Sequence, residues 1–194
     1  RRRHSFPTRR SSDLWADKSG NGNNATSVGT AYPVKTANAI NGVQAISFPN
    51  TTTTPNPTYF FDGPISLTSA SITYFVVCTP FSTSVMAGSP RILSLGATGA
   101  VDYTNASYIV ALYQLNTGVG AYRNSAGGVP LTVAANTPYI FSAIATNGNV
   151  AMYQNGGSVS NITTGAGTAF AVSRFRVCNE FNPATEEFNG YVGE

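Results

Sequence analysis

The chain is predicted to be all-β, a two-sheet antiparallel sandwich of the jelly-roll type. Three observations predict it. Apolar residues come in short bursts between turn formers, with no amphipathic helical run longer than a couple of turns. Only 10% of the 194 residues are charged while 19 are glycine, as suits many short strands joined by polar turns. Turn signals recur at roughly ten-residue spacing, the rhythm of a sandwich or jelly roll. A chain of this length suits one domain with a real core. No internal repeat or domain linker interrupts it.

The first informative stretch, residues 15–26, is a loop packed with turn formers and anchored by Trp15. Alternation then predicts a strand over 42–48. The Thr- and Pro-rich run 51–57 is an exposed connection, because Pro55 and Pro57 bar a central strand. Residues 59–62 follow, then 71–79, the most hydrophobic strand of the chain. Being apolar on nearly both faces, 71–79 is expected at the centre of the sandwich. Further strands are predicted over 91–96, 107–115, 119–124 and 129–133, with Asn116-Thr117-Gly118 as a hairpin loop.

The clearest local pattern is 139–157. Tyr139, Phe141, Ala143 and Ala145 alternate with Ile140, Ser142, Ile144 and Thr146, so the first set is expected to face the core. Asn147-Gly148 predicts a type I′ hairpin, and Asn155-Gly156-Gly157 a second reversal after the strand 150–154. Strands over 159–163, 170–178 and 187–194 complete the pattern.

The formal charge of +3 is unevenly placed. Arg1, Arg2, Arg3, Arg9, Arg10 and the sole histidine, His4, lie in the first ten positions. From Trp15 onward six basic residues face seven acidic ones, a net charge near −1 that excludes a basic nucleic-acid surface on the body. Residues 1–14, RRRHSFPTRRSSDL, resemble translated adapter read-through at the end of an assembled reading frame. They are expected to be a non-native, disordered tail, leaving 15–194 as the domain. No window of 18 apolar residues exists, so membrane insertion is not expected. Cys78 and Cys178 are too few for a disulfide framework or a metal site, and two unpaired buried thiols are expected ahead of a single bridge.

Within the loop 15–26, Asp17, Asn21 and Asn23 are hard oxygen donors and the candidate calcium ligands. The competing reading, favoured because Asp17 is the lone carboxylate there, is a self-bonded Asx-type loop. No other cofactor is expected.

Several stretches together resemble the LamG-like domains of the concanavalin A-like lectin and glucanase superfamily. These are Trp15-x-Asp17-x-Ser19-Gly20-Asn21-Gly22-Asn23, the strand Asn41-Gly42-x-x-x-Ile46-x-Phe48, the segment 71–80, the hairpin 139–156, and Phe188-Asn189-Gly190-Tyr191-Val192-Gly193-Glu194. The resemblance implies a concanavalin A-like jelly roll and a non-catalytic module of a larger extracellular, cell-surface or virion-surface protein. It also implies that both ends are truncated. Since first and last strands commonly pair in such sandwiches, an incomplete sheet with exposed edge groups is expected.

The superfamily includes glucanases, so catalysis has to be judged on residues. Retaining glycosidases need two carboxylates about 5 Å apart; no predicted strand carries Asp or Glu at alternate positions, and without a body histidine there is no conventional Ser-His-Asp or Cys-His arrangement. A glycoside hydrolase is therefore the least favoured reading, and no catalytic residue is assigned. Sugar recognition needs aromatic platforms with planar polar groups. Tyr103, Asn105, Tyr122, Arg123, Arg174, Arg176 and Glu180 are the candidates, with Tyr113 and Asn124 beside them. Arg174, Arg176 and Cys178 are expected to share one solvated face, opposite a core face of Phe175 and Val177. The expected partner is a glycan or another surface protein; the alternative is a purely structural decoration domain without sugar affinity.

Overall fold

Strand alternation is realised along almost the whole chain: sixteen strands and no helix form among the residues that the computed structural model describes. Those residues are 14–29, 33–48, 59–82, 90–97, 110–115, 118–123, 126–127, 130–163, 169–178 and 188–193. In chain order the strands are β1 (Leu14–Trp15), β2 (Ala25–Gly29), β3 (Val34–Ile40), β4 (Val43–Phe48), β5 (Tyr59–Ser69), β6 (Ser71–Pro80), β7 (Arg91–Gly96) and β8 (Val110–Leu115). They continue with β9 (Gly118–Arg123), β10 (Ala126–Gly127), β11 (Leu131–Thr132), β12 (Tyr139–Thr146), β13 (Asn149–Gln154), β14 (Gly157–Thr163), β15 (Phe170–Val177) and β16 (Gly190–Gly193).

The strands form two antiparallel sheets. The first is ordered β1-β2-β5-β15-β7-β8-β9-β10, with β11 also on β9; the second is β14-β13-β12-β6-β16-β4-β3. β6 lies mid-sheet, as its apolar sequence predicts. It is not buried on both faces, however: Ile72, Tyr74, Val76 and Cys78 point into the core while Phe75 is 71% exposed. Phe141, Ala143 and Ala145 of β12 stand opposite Val76, Tyr74 and Ile72 and are fully buried. Across the interlayer space, Phe61, Leu95, Leu112, Phe170 and Val172 of the first sheet complete one contiguous core.

Turn chemistry differs from the expectation at one place. At Asn147-Gly148 only the glycine has positive φ, at 121°, and its N–H bonds back to the Thr146 carbonyl at 2.9 Å, so this is not a type I′ turn. The two-residue turns with both positions left-handed are Asn41-Gly42, between Ile40 and Val43, and Asn155-Gly156, between Gln154 and Gly157.

Cys78 and Cys178 are buried thiols with no disulfide between them, and burial pushes the Cys78 thiol up to about 12, so it stays protonated at neutral pH. Among the described residues the ladder of the first sheet starts with Leu14, which pairs with Thr26. β1 sits on β2 at an edge of the first sheet, while β16 lies inside the second between β4 and β6. No helix among the described residues is long and apolar enough to cross a membrane.

Removing Phe141, fully buried at the centre of β12, should cost about 3–5 kcal/mol as Phe141→Ala through lost burial and an unfilled cavity. Ile144→Ala, on the outward side of the same strand, should cost under about 1 kcal/mol. Urea unfolding measures both, and similar losses for the two would mean that the faces of β12 are wrongly assigned.

Candidate functional site

The outward face of the first sheet carries the densest polar constellation among the described residues. Phe61 of β5 is buried in the core, so alternation turns its neighbours Phe60 and Asp62 outward. On β15 the register with β5 shifts between Val172 and Arg174; beyond that shift Phe175 packs inward and Arg174 and Arg176 turn outward. Pairing then sets a row straight across the sheet. Thr26, Asp62, Arg176, Ser94, Ala111 and Tyr122 are successive cross-strand neighbours on β2, β5, β15, β7, β8 and β9.

Asp62 binds both arginines. Its Oδ1 accepts from Arg174 Nε at 2.6 Å, and its Oδ2 accepts from Arg174 Nη2 and, at 3.1 Å, from Arg176 Nη2. The Arg176 guanidinium also lies over the Phe60 ring, 4.0 Å from its centroid. The hydrogen bond to the Asp62 carboxylate, aided by its charge, raises the Arg174 pKa further above its ordinary range, against the opposing effect of burial. The result is a charge-paired platform stacked on an aromatic ring, with Arg174 as its solvent-facing member: its side chain is 33% exposed against 7% for Arg176.

This corrects the expectation that Arg174, Arg176 and Cys178 share a solvated face. Arg176 is buried because a strong partner and a ring cover it. Cys178 lies past the end of β15 with φ at 69°, its N–H bonded to the Ile92 carbonyl at 2.9 Å and its side chain in the core. Of the other candidates, Tyr122 falls in the Asp62–Arg176 row and Tyr113 pairs with Arg91 two positions along β8. Arg123 pairs with Val110, in the backbone row that runs on through Leu95 to Phe175. Tyr103, Asn105, Asn124 and Glu180 lie outside the described residues. Sequence reasoning missed Asp62 and Phe60 as site members. Their only trace is a charge inside an aromatic strand, and the arginine partners are more than a hundred positions away.

The Trp15 loop folds around Asp17. Asp17 Oδ1 accepts the Ser19 N–H at 2.7 Å and Oδ2 the Asn23 N–H at 2.9 Å, while the Asp17 N–H donates to Asn24 Oδ1 at 2.8 Å. Asn21 donates its N–H to Ser19 Oγ at 3.3 Å. The Asp17 carboxyl is held below its usual range, chiefly by hydrogen bonds from Ser19 and then from Asn23. Trp15 anchors the loop edge-on against Phe61, centroids 5.4 Å apart. Among the described residues no cluster of three or more His, Cys, Asp or Glu forms.

No protein-family model and no curated protein matches the chain. Solved structures do. Domain 4 of AbnA, a GH43 extracellular arabinanase from Geobacillus stearothermophilus, in complex with arabinotriose, is 14% identical with a TM-score of 0.63, covering 92% of this chain and 83% of that one. The native heptameric SAP-like pentraxin from Limulus polyphemus is 18% identical, TM-score 0.54, over 77% of this chain and 73% of its own. Domains LG4-5 of the mouse laminin alpha1 chain are 13% identical, TM-score 0.54, over 84% and 43%. At such identities the likeness is one of fold, and the fold is the concanavalin A-like jelly roll.

Removing Asp62 takes from the buried Arg176 the carboxylate that its Nη2 meets at 3.1 Å, so Asp62→Ala should cost about 3 kcal/mol. The double replacement Asp62→Leu with Arg176→Met should recover most of that. Equal losses for single and double variants in urea titrations would mean that the pair is not coupled. For Asp17, the folded-state pKa lies below the ordinary value of 3.8, so its contribution to stability is present above 3.8 and lost as pH falls through the folded value. Asp17→Asn should therefore lower Tm at neutral pH, with the gap to the unsubstituted protein closing in melts below pH 3.8. A gap independent of pH would refute this role.

Proposed function

We propose that this domain is a non-catalytic carbohydrate-binding or adhesion module of a larger extracellular or virion-surface protein. The observation that carries the reading is the platform of Asp62, Arg174 and Arg176 over Phe60, in cross-strand register with Tyr122. Planar charged groups beside aromatics suit sugars, whose hydroxyls accept bidentate hydrogen bonds and whose C–H faces stack on rings. The fold shared with an arabinanase domain held in complex with arabinotriose supports the same reading. The non-catalytic part is supported by Asp62 itself. It is the carboxylate at the centre of the platform and is engaged by two guanidiniums, a poor state for proton transfer or nucleophilic attack.

A second reading, a structural decoration domain without sugar affinity, is favoured by that same mutual satisfaction, because a cluster that closes on itself can serve the sheet alone. Calcium at Asp17, Asn21 and Asn23 belongs to the proposal too. Both Asp17 oxygens already accept backbone N–H bonds, so an ion there would have to share or displace them.

A glycan array that includes arabino-oligosaccharides, run with and without calcium, tests the assignment. Binding that falls at least tenfold in Arg174→Ala or Tyr122→Ala, with the far-ultraviolet spectrum unchanged, is the expected result. A blank array in both conditions would favour the structural reading, and binding that depends on calcium and on Asp17 would move the site to the Trp15 loop.

A further inference from the structure

We propose that the outer face of the second sheet is a two-fold interface between two copies of this chain. The face is uncharged. Among the described residues of its seven strands, Lys35 alone is a charged one. It sits on the edge strand β3 in the row of Ile46, which points inward, so the outward positions of these strands carry no charge. The strands of the first sheet, by contrast, hold Asp62, Arg91, Arg123, Arg174 and Arg176. Lysine, glutamate and arginine ordinarily populate solvated surfaces, whereas interface cores are depleted of charge and enriched in aromatic residues. Here Phe75, Ile140 and Ile144 are exposed, and the partly buried Tyr153 stands in the same row as Phe75.

Shape points to a second copy as the occupant. On the two central strands each outward cross-strand pair joins a larger side chain to a smaller one: Ile140 with Val77, Phe75 with Ser142, and Ile144 with Thr73. The larger member alternates between the strands, β12 then β6 then β12. Twisted sheets stack face to face with their strands within about 30° of one another. A two-fold axis running along the strands, midway between β6 and β12, therefore lays each β6 over the other copy's β12. Phe75 then meets the partner's Ser142, Ile140 the partner's Val77, and Ile144 the partner's Thr73. Layers interdigitate when large residues face small ones, and in an isologous contact each match is made twice. Ser142, flanked along β12 by Ile140 and Ile144, is the socket for the other copy's Phe75 ring. Because the face is uncharged, stacking it on itself brings no like charges together.

The area is of the right size. At about 3.3 Å per residue and 4.8 Å between strands, the seven strands present roughly 750 Å². Each partner gives about 800 Å² to an interface of standard size. The axis between β12 and β6 divides the sheet into three strands and four, so nearly the whole face is covered. At one end Ser71, Thr146, Asn149 and Thr163 stand in register and form a polar rim.

Sedimentation velocity of the whole chain, from micromolar to millimolar concentration, tests the contact. The expected result is a reversible monomer–dimer equilibrium. Phe75→Asp, which sets a carboxylate over the partner's Ser142, and Ser142→Lys, which fills the socket with a charge, should each weaken it about tenfold or more. Both side chains lie on the outer face, and unchanged far-ultraviolet spectra and urea midpoints would show that the variants fold. Mixing the two variants should restore dimerisation to within about tenfold of the unsubstituted chain. In the mixed dimer the new carboxylate of one copy meets the new amine of the other, while the second socket keeps its original pair. A chain that stays monomeric at millimolar concentration overturns the proposal and leaves the face to a different protein. A dimer indifferent to both substitutions overturns it as well, since association then runs through an edge strand or the first sheet. So does a mixture that associates no more tightly than its parts.

Discussion

Each sheet of this protein has one face too apolar to leave in water, and the inward row of β6 is where the two faces are made to meet. Ile72, Tyr74, Val76 and Cys78 lie in the middle of the second sheet and are buried along the whole strand. Each side chain of this kind contributes roughly 1.5–3 kcal/mol on burial. The row also fixes register. Slipping β12 by one residue against β6 would turn Phe141, Ala143 and Ala145 to solvent and bring Ile140 and Ile144, now on the outer surface, into the core. Tyr74 marks the cost of this packing: its hydroxyl is buried without a hydrogen-bond partner, and desolvation drives its pKa well above the ordinary tyrosine value.

The outward face of the first sheet obeys a different logic. Arg176 and Asp62 are both nearly buried, and a buried ion pair seldom adds stability over well-packed apolar residues. What it supplies is specificity. Asp62 and Arg176 are direct cross-strand partners on β5 and β15, and the register shift between Val172 and Arg174 is what brings the arginines to the outer face. A different register would strand a charge, so pairing of the two strands is enforced from the outer face as well as from the core. The same rigidity suits a binding platform, because a guanidinium already fixed by Asp62 and Phe60 loses little freedom when a ligand docks.

Much of the fold is legible in the sequence because alternation is strong where burial is one-sided. The expected strands 42–48, 71–79, 91–96 and 139–146 all form. β2, with sequence ATSVG, and β3, with VKTANAI, escape notice since few of their residues are apolar and their stability comes from ladders to β5 and β4. Asn41-Gly42 was readable as a hairpin turn only once β3 was seen as a strand; Asn147-Gly148, the more obvious dipeptide, turns by another geometry. Of the site, the arginines were visible but not their burial. Alternation gives the face of a residue without showing what lies on the neighbouring strand, and Asp62 reaches Arg174 and Arg176 through contacts distant in sequence.

The two outer faces are thus chemically unlike. That of the first sheet is polar, charge-paired and nearly closed on itself around Asp62. That of the second exposes Val43, Phe75, Ile140 and Ile144. Register links Ile140 to Val77, Ser142 to Phe75 and Ile144 to Thr73, so the apolar residues form a patch centred on β6 and β12 rather than isolated exposures. A sugar's hydroxyls would find few hydrogen-bonding partners on that patch. The polar, charge-paired chemistry and the exposed apolar patch are therefore separated, one to each sheet, and a substitution at Arg174 should leave the packing of β6 against β12 untouched.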